Sequence, residues 1–298
     1  MYFDDAEGPV FRPPSEANSF ILRVTIGCSH NKCTYCNMYR SVAFRVRTMD
    51  EVLRQINRAQ IYKTYIRRVF LADGNALVLD TDKLLDILAV LRETFPRLQR
   101  VSCYGGPKDI LRKTPAELAV LRDAGLRLVY YGMESGDDEV LARVCKGVNG
   151  AESIAAGQRI VGSGIKLSMM VILGLAGKPG STRHAQNTAR AVNAIRPNML
   201  SALTLMMYRG SELLEEYERG RFELLSPAEI MGELDQLISN INLPDGSHCL
   251  FRSNHISNYA ALAGTLPQDK DRLLNEIRQA QQELSGLTDW DPYNNVEI

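Results

Sequence analysis

Six short apolar runs, rich in β-branched and aromatic residues, recur along the first two thirds of this chain. They occupy residues 20–26, 67–72, 100–104, 126–133, 165–173 and 199–207, and each reads as a strand. Helical patterns fill the gaps. Thr48, with Glu51 three residues on, makes a capping box, and Val52, Leu53, Ile56 and Ala59 then recur at helical spacing. Thr81 opens a second helix. Pro115 suits the first turn of a third, which Gly125 stops. Further helical patterns follow at 137–145, 151–161 and 181–195. Strands alternating with helices build a parallel α/β sheet with right-handed crossovers. The six strands stop short of the eight in a closed barrel. In such sheets ligands collect at the carboxyl ends of the strands, so chemistry is sought in the turn after each strand.

The turn after the first strand holds Gly27-Cys28-Ser29-His30-Asn31-Lys32-Cys33-Thr34-Tyr35-Cys36, with three of the six cysteines inside nine residues. Three thiolates on one loop can hold three irons of a cubane iron–sulfur cluster and leave the fourth open for chemistry. Structural zinc takes four ligands, commonly from two pairs. This chain has one Cys-x-x-Cys pair, Cys33 and Cys36, and His30 would be a cramped fourth ligand between two cysteines. The spacing favours the cluster, with zinc and unligated thiols as the other readings.

With the aromatic Tyr35 directly before the last cysteine, this stretch resembles the cluster loop of the radical S-adenosylmethionine (radical SAM) superfamily. The superfamily has three residues between the first two cysteines. Here there are four, Ser29 to Lys32, which marks a variant branch. The resemblance covers roughly residues 18–210 and implies an open, partial (β/α)6 TIM-like barrel. Residues 1–17 are then an N-terminal arm and 211–298 a C-terminal extension that covers the barrel mouth. It also implies that Cys28, Cys33 and Cys36 hold a 4Fe–4S cluster and that SAM binds the open iron. An electron donor such as flavodoxin or ferredoxin would then drive reductive cleavage to a 5′-deoxyadenosyl radical, which abstracts hydrogen from a substrate.

The same resemblance points to the later turns. Asp73-Gly74-Asn75 stands where the superfamily has a Gly-Gly-Glu-like turn whose backbone meets the SAM amino group; one glycine fits, and Asn replaces Glu. A plain strand-to-helix turn is the alternative, since Gly and Asn favour turns. Glu134 in Met133-Glu134-Ser135-Gly136 and Lys146 one helix later match groups that face the ribose or methionyl part and the carboxylate of SAM. Read blandly, they are a helix-start carboxylate and a solvated lysine. Gly174 and Gly177 end the fifth strand, where a glycine backbone packs on adenine, although glycine often ends a strand. The Glu-Ser-Gly turn and the Gly-Leu-Ala-Gly strand end look closest to the branch compared with oxygen-independent coproporphyrinogen oxidase. Arg209, after the sixth strand, is either an anion contact or a surface arginine.

In the tail, helices are read over 212–219, 227–240 and about 268–284. Between them, residues 248–259 are dense in hydroxyls, amides and two histidines. This segment is expected to close the barrel mouth, with His255 and Asn258 as substrate contacts and Cys249 as a hydrogen-atom donor. Read blandly, it is a satisfied polar turn around a small buried thiol. Hydrophobic residues make up 45% and charged residues 23% of the chain, and the formal net charge is zero. That balance offers no general nucleic-acid or membrane surface, which favours a small-molecule substrate. No apolar run spans a bilayer and no basic leader opens the sequence, so the cytoplasm is expected. A non-catalytic metal or cluster carrier, and a radical enzyme acting on RNA or a protein partner, remain the other functional classes.

Overall fold

The computed structural model describes residues 8–287, so the start of the arm and residues 288–298 of the extension lie outside the described residues. The chain divides into two compact units. The first takes the described residues to Asn31, then 38–131 and 159–167; the second takes 32–37, 132–158 and the chain from Ser168 onward.

The first unit contains β1 (Phe20–Arg23), β2 (Thr25–Ile26), β3 (Arg45–Val46), α1 (Met49–Ala59), β4 (Arg68–Ala72), α2 (Thr81–Thr94), β5 (Arg100–Tyr104), α3 (Pro107–Arg112), α4 (Pro115–Asp123) and the start of β6 (Leu126–Glu134). Strands β1, β4, β5 and β6 pair in parallel in that order. The rest comprises α5 (Asp138–Arg143), α6 (Gly150–Gly162), β7 (Lys166–Leu173), α7 (Ser181–Ile195), β8 (Met199–Thr204), α8 (Glu212–Glu218), α9 (Pro227–Asn240), β9 (Cys249–Ser253), β10 (Leu262–Leu266) and α10 (Lys270–Leu284). Here β7, β8 and β9 run parallel and β10 returns antiparallel beside β9. The main sheet counts eight strands, mostly parallel, with flanking helices.

All six runs read as strands contain one. The first breaks at Val24. The N–H of Val24 still bonds the Ala72 carbonyl (2.6 Å), but β2 leaves the main sheet to pair antiparallel with β3. The small β2–β3 ladder thus closes the cysteine loop at its base. The sixth strand ends at Thr204, three residues short of the apolar run. Three strands, β3, β9 and β10, were not expected. Residues 248–259, read as a mouth-closing turn, instead begin with a strand that extends the sheet beside β8. In β9 buried Cys249, Phe251 and Ser253 alternate with exposed Leu250 and Arg252, the period of a sheet covered on one face.

The described part of the N-terminal arm is a packed extension. Pro14–Glu16 forms one turn, and the buried Glu16 carboxylate pairs with Arg100 (2.6 Å) and accepts from the Tyr130 hydroxyl (2.7 Å). Helix α1 buries Val52, Ile56 and Ala59, the stripe anticipated from spacing. In the second unit α9 packs between α7 and α10, burying Ile230, Leu234, Leu237 and Ile238.

One ion pair fixes the first unit at the carboxyl ends of its strands. Arg23 ends β1 and Asp73 follows β4, and both side chains are fully buried. Nε of Arg23 donates to both carboxylate oxygens (3.1 and 3.2 Å) and Nη2 to Oδ2 (2.6 Å). Burial raises the Asp73 carboxyl above its usual range, with Arg23 pulling the other way. Removing one partner of a buried pair strands the other. Asp73→Ala is expected to cost roughly 3–5 kcal/mol, read by urea unfolding of the cofactor-free chain.

The capping boxes carry a pH signature. Bonded to Arg45 and to the backbone N–H of Thr48, Glu51 is pulled from 4.5 to about 2. A carboxylate depressed in the fold contributes stability above its unfolded pKa and loses it as pH falls through the folded one. Melting temperature should therefore fall between about pH 4.5 and 2, and Glu51→Gln should flatten part of that slope.

Candidate active site

The first half of the cysteine loop is built by glycines. Gly27 is left-handed (φ 75°), donates its N–H to Asp73 (3.0 Å) and accepts at its carbonyl from Gly74 (3.2 Å). A Cβ on Gly74 would sit 3.0 Å from Cys28 Cβ and 3.2 Å from the Tyr39 ring. Only glycine lets the turn after β4 lie against the cysteine. Asn75 is buried and fully engaged: its Nδ2 donates to Ser29 Oγ (2.9 Å) and Asp109 (2.5 Å), and its Oδ1 accepts from the Gly106 N–H (3.0 Å). The Asp73 carboxylate is spent on Arg23 and Gly27 and its N–H on Thr25 Oγ1, so only its backbone carbonyl is without a partner here. Asn31 takes a left-handed conformation (φ 42°) and ties its amide to the Tyr39 carbonyl (2.8 Å), which accommodates the longer spacer.

The second half belongs to the second unit. Cys36 N–H closes a turn onto the Cys33 carbonyl (3.2 Å). Thr34 donates to the Val144 carbonyl after α5 (3.1 Å) and accepts from Leu213 N–H in α8 (3.0 Å). Asn37 donates to the carbonyl of Arg209 (2.7 Å), whose own side chain stands in an exposed residue. The Tyr35 ring packs on a core of Val140, Val144, Leu175 and Leu205, and its hydroxyl bonds Glu134. Burial first, then the Glu134 charge, pushes the Tyr35 phenol well above its ordinary range, so it stays protonated and donates. Lys146 Nζ meets Glu134 Oε1 at 2.9 Å, both side chains being nearly buried. The structure therefore brings Tyr35, Glu134 and Lys146 into one hydrogen-bonded chain. Glu134 is left-handed (φ 67°), rare for a side chain larger than Asn. A Cβ on Gly132 would collide with its carboxylate.

The turn after Glu134 rests on side chains that sequence reasoning missed. Ser135 Oγ bonds His184 Nδ1 (2.8 Å), and His184 Nε2 lies 3.1 Å from the Ile172 carbonyl. Gly136 lies flush against the backbone at Asn187, where any Cβ would clash. Asp137 caps α5 through Val140 N–H (3.1 Å) and takes Arg183 and Asn187 (2.8 and 2.6 Å). Behind these, Glu233 of α9 accepts from Gly174 N–H (2.7 Å) and Ser181 Oγ (2.5 Å), with His184 Nε2 at 3.6 Å. Two histidine and carboxylate residues on helices that read as ordinary amphipaths gave one signal: each interrupts an otherwise apolar buried stripe.

Gly174 is left-handed (φ 81°), but its N–H is taken by Glu233, and a Cβ there would meet Ile230 at 2.8 Å. Its close approach is to α9. Gly177 likewise approaches Phe222 and Glu223 (3.1 and 3.2 Å from a built Cβ). Asn258 is a latch on the edge of β8, donating to Ala202 O (2.8 Å) and accepting from Thr204 N–H (2.9 Å). His255 Nδ1 accepts from Ser257 N–H (3.2 Å), and burial lowers its pKa, which favours the neutral ring with its proton on Nε2. Cys249 starts β9 at the amino end, away from the strand ends where the loops gather, and burial pushes its thiol up to about 12. That position does not suit a hydrogen-atom donor.

The donor set fits an iron–sulfur cluster. Three thiols lie on one loop, half-buried, and the Gly74 turn lies against the first of them, Cys28. Among the described residues no three His, Cys, Asp or Glu side chains converge as the ligands of a single metal ion would. A cubane instead spreads its thiolates over separate irons. No helix among the described residues is long and apolar enough to cross a membrane.

The family model described as "Radical SAM superfamily" matches residues 22–191. No curated protein matches the sequence. Among solved structures, methylornithine synthase (PylB) superposes with TM-score 0.52 at 16% identity, over 92% of this chain and 83% of that one. Coproporphyrinogen III oxidase (HemN) from Escherichia coli gives TM-score 0.53 at 16% identity, over 74% and 51%. The cobalamin-dependent radical enzyme OxsB gives 0.49 at 16% identity over 68% of this chain, which spans 30% of the OxsB chain. At such identities the likeness is one of fold.

Glu233→Ala leaves the Gly174 N–H and the Ser181 hydroxyl without their buried acceptor. A loss of about 1–3 kcal/mol in urea unfolding is expected, and Glu233→Gln should recover part of it.

Proposed function

The chain belongs to the radical SAM superfamily and is an enzyme that works with a 4Fe–4S cluster and SAM, and from that premise we propose that Cys28, Cys33 and Cys36 are the three cluster ligands and that the substrate is a small molecule. The observation that carries the ligand assignment is the cysteine loop itself, stitched at its start to the Gly74 turn and at its end to α5 and α8. Bound there, cluster and SAM together supply one-electron reductive cleavage of the sulfonium and a hydrogen-abstracting adenosyl radical.

The remaining tasks fall to the protein. The Asp73-Gly74-Asn75 turn offers backbone close to Cys28, since every side-chain polar group in it is already engaged. Glu134, held by Tyr35 and Lys146, keeps free acceptor capacity for a hydroxyl or ammonium donor, because a carboxylate has about four lone-pair sites. Lys146 supplies the positive charge for a carboxylate. These groups orient the cofactor and fix the distance to the substrate, the part of catalysis that positioning provides. The neutral overall charge supports a small-molecule substrate over a nucleic acid. The enzyme also needs an electron donor, for which flavodoxin or ferredoxin is the natural class.

Protein purified without oxygen is expected to carry about four irons and four sulfides per chain and to release 5′-deoxyadenosine when given dithionite and SAM. Replacing the three loop cysteines by alanine should abolish both, while Cys249→Ala should leave both intact. Stoichiometric zinc without visible absorption would sink the proposal.

A further inference from the structure

The position that carries Glu in the superfamily turn carries Asn75 here, and its amide is saturated as a carboxylate could not be. Oδ1 accepts from Gly106 N–H, which can only donate; Nδ2 donates to the Asp109 carboxylate, which accepts. Those two partners fix the orientation of the amide. The second Nδ2 hydrogen then points at Ser29 Oγ (2.9 Å). Ser29 is thus an acceptor toward Asn75, and a hydroxyl has one hydrogen of its own to donate. No described residue accepts it. Ser29 is half-buried and directly follows Cys28.

We infer that the Ser29 hydroxyl donates a hydrogen bond to a sulfur of the cluster, either a bridging sulfide or the Cys28 thiolate, and that Asp109 and Asn75 aim it there. This rests on the assignment of Cys28, Cys33 and Cys36 as cluster ligands. Sulfur gains negative charge when the cluster takes an electron, so a donor at sulfur stabilises the reduced form and raises the potential. Asp or Glu at position 75 would repel Asp109 and accept from Ser29, turning the O–H away. Asn75 is a positioning residue and Ser29 the group that touches the cluster. The other end of the four-residue spacer is held by Asn31 on Tyr39, so Ser29 is pinned within a loop already fixed at its far side.

The test uses the full chain, loaded without oxygen with iron and sulfide, as wild type, Ser29→Ala, Ser29→Thr and Asn75→Asp. Iron and sulfide per chain are measured first. The cluster is then titrated with dithionite and followed by electron paramagnetic resonance, with no SAM present. Ser29→Ala and Asn75→Asp should hold as much iron as wild type yet show a more negative midpoint. The reduced-to-oxidised ratio at a fixed potential should drop about tenfold, or about 59 mV for one electron. Ser29→Thr, which keeps the hydroxyl, should stay near wild type. An unchanged midpoint in Ser29→Ala overturns the inference, whether iron content is full or reduced; reduced iron would assign the hydroxyl to loop support alone. A Ser29→Thr midpoint as low as that of Ser29→Ala also overturns it. A wild-type chain that takes up no cluster overturns the ligand assignment itself, a distinct failure seen before any titration.

Discussion

The buried pair of Arg23 and Asp73 is the constraint on which the cysteine loop depends. Two fully desolvated charges are costly unless their geometry and remaining hydrogen bonds are complete. Here completion comes from the loop itself, since the carboxylate also takes the Gly27 N–H (3.0 Å), one residue before Cys28. Thr25 Oγ1 accepts from Asp73 N–H (3.0 Å), and Gln55 of α1 bridges the backbone of Arg23 through both amide atoms (3.0 and 2.9 Å). The start of the loop is therefore fixed by electrostatics from below, before any cluster is present. A residue that resembles part of a cofactor-binding turn turns out to spend its side chain and its N–H on the scaffold.

In the second unit the extension contributes side chains to the strand ends. Glu233 and Ile230 come from α9, yet they hold the N–H and the open Cα of Gly174 at the end of β7. His184 stands between Glu233 and Ser135, within one hydrogen-bond length of the turn that carries Glu134. A chain cut after the sixth strand would leave Gly174 and His184 without these partners. The family match ends at residue 191, but the polar network at the end of β7 runs through residues beyond it.

Much of the fold was legible because helix and strand periods, capping boxes and glycine stops are local. Thr48 with Glu51, Pro115 and Pro227 fixed helix starts that the structure reproduces. What failed was non-local. Strand β9 reads CLFRS, five residues flanked by histidines, serines and asparagines, and nothing within it says that β8 has a free edge. The break at Val24 depends on β3, some twenty residues away. In the site, cysteine spacing and the aromatic before Cys36 were visible, and Tyr35, Glu134 and Lys146 were each singled out, but not that they meet. For the two glycines after β7 the sequence indicated a close approach but not the neighbour. Glycine reports a close approach without naming what approaches, and here it is Ile230 and Phe222.

The chain Tyr35–Glu134–Lys146 shows how burial and charge set the direction of hydrogen bonds. Lysine has donors only, and a phenol pushed well above its normal range by burial and by Glu134 itself remains a donor. Both therefore point at the carboxylate, so Glu134 is an acceptor on every side. Its left-handed backbone is tolerated because the turn is over-determined: Gly132 leaves space for the carboxylate, Gly136 lies against α7, and Ser135 is fixed by His184. A group approaching Glu134 must then bring a donor. Hydroxyl and ammonium groups both meet that demand, whereas the charge beside it on Lys146 suits an anion. The polarity at the end of β6 thus separates a place for donors from a place for acceptors.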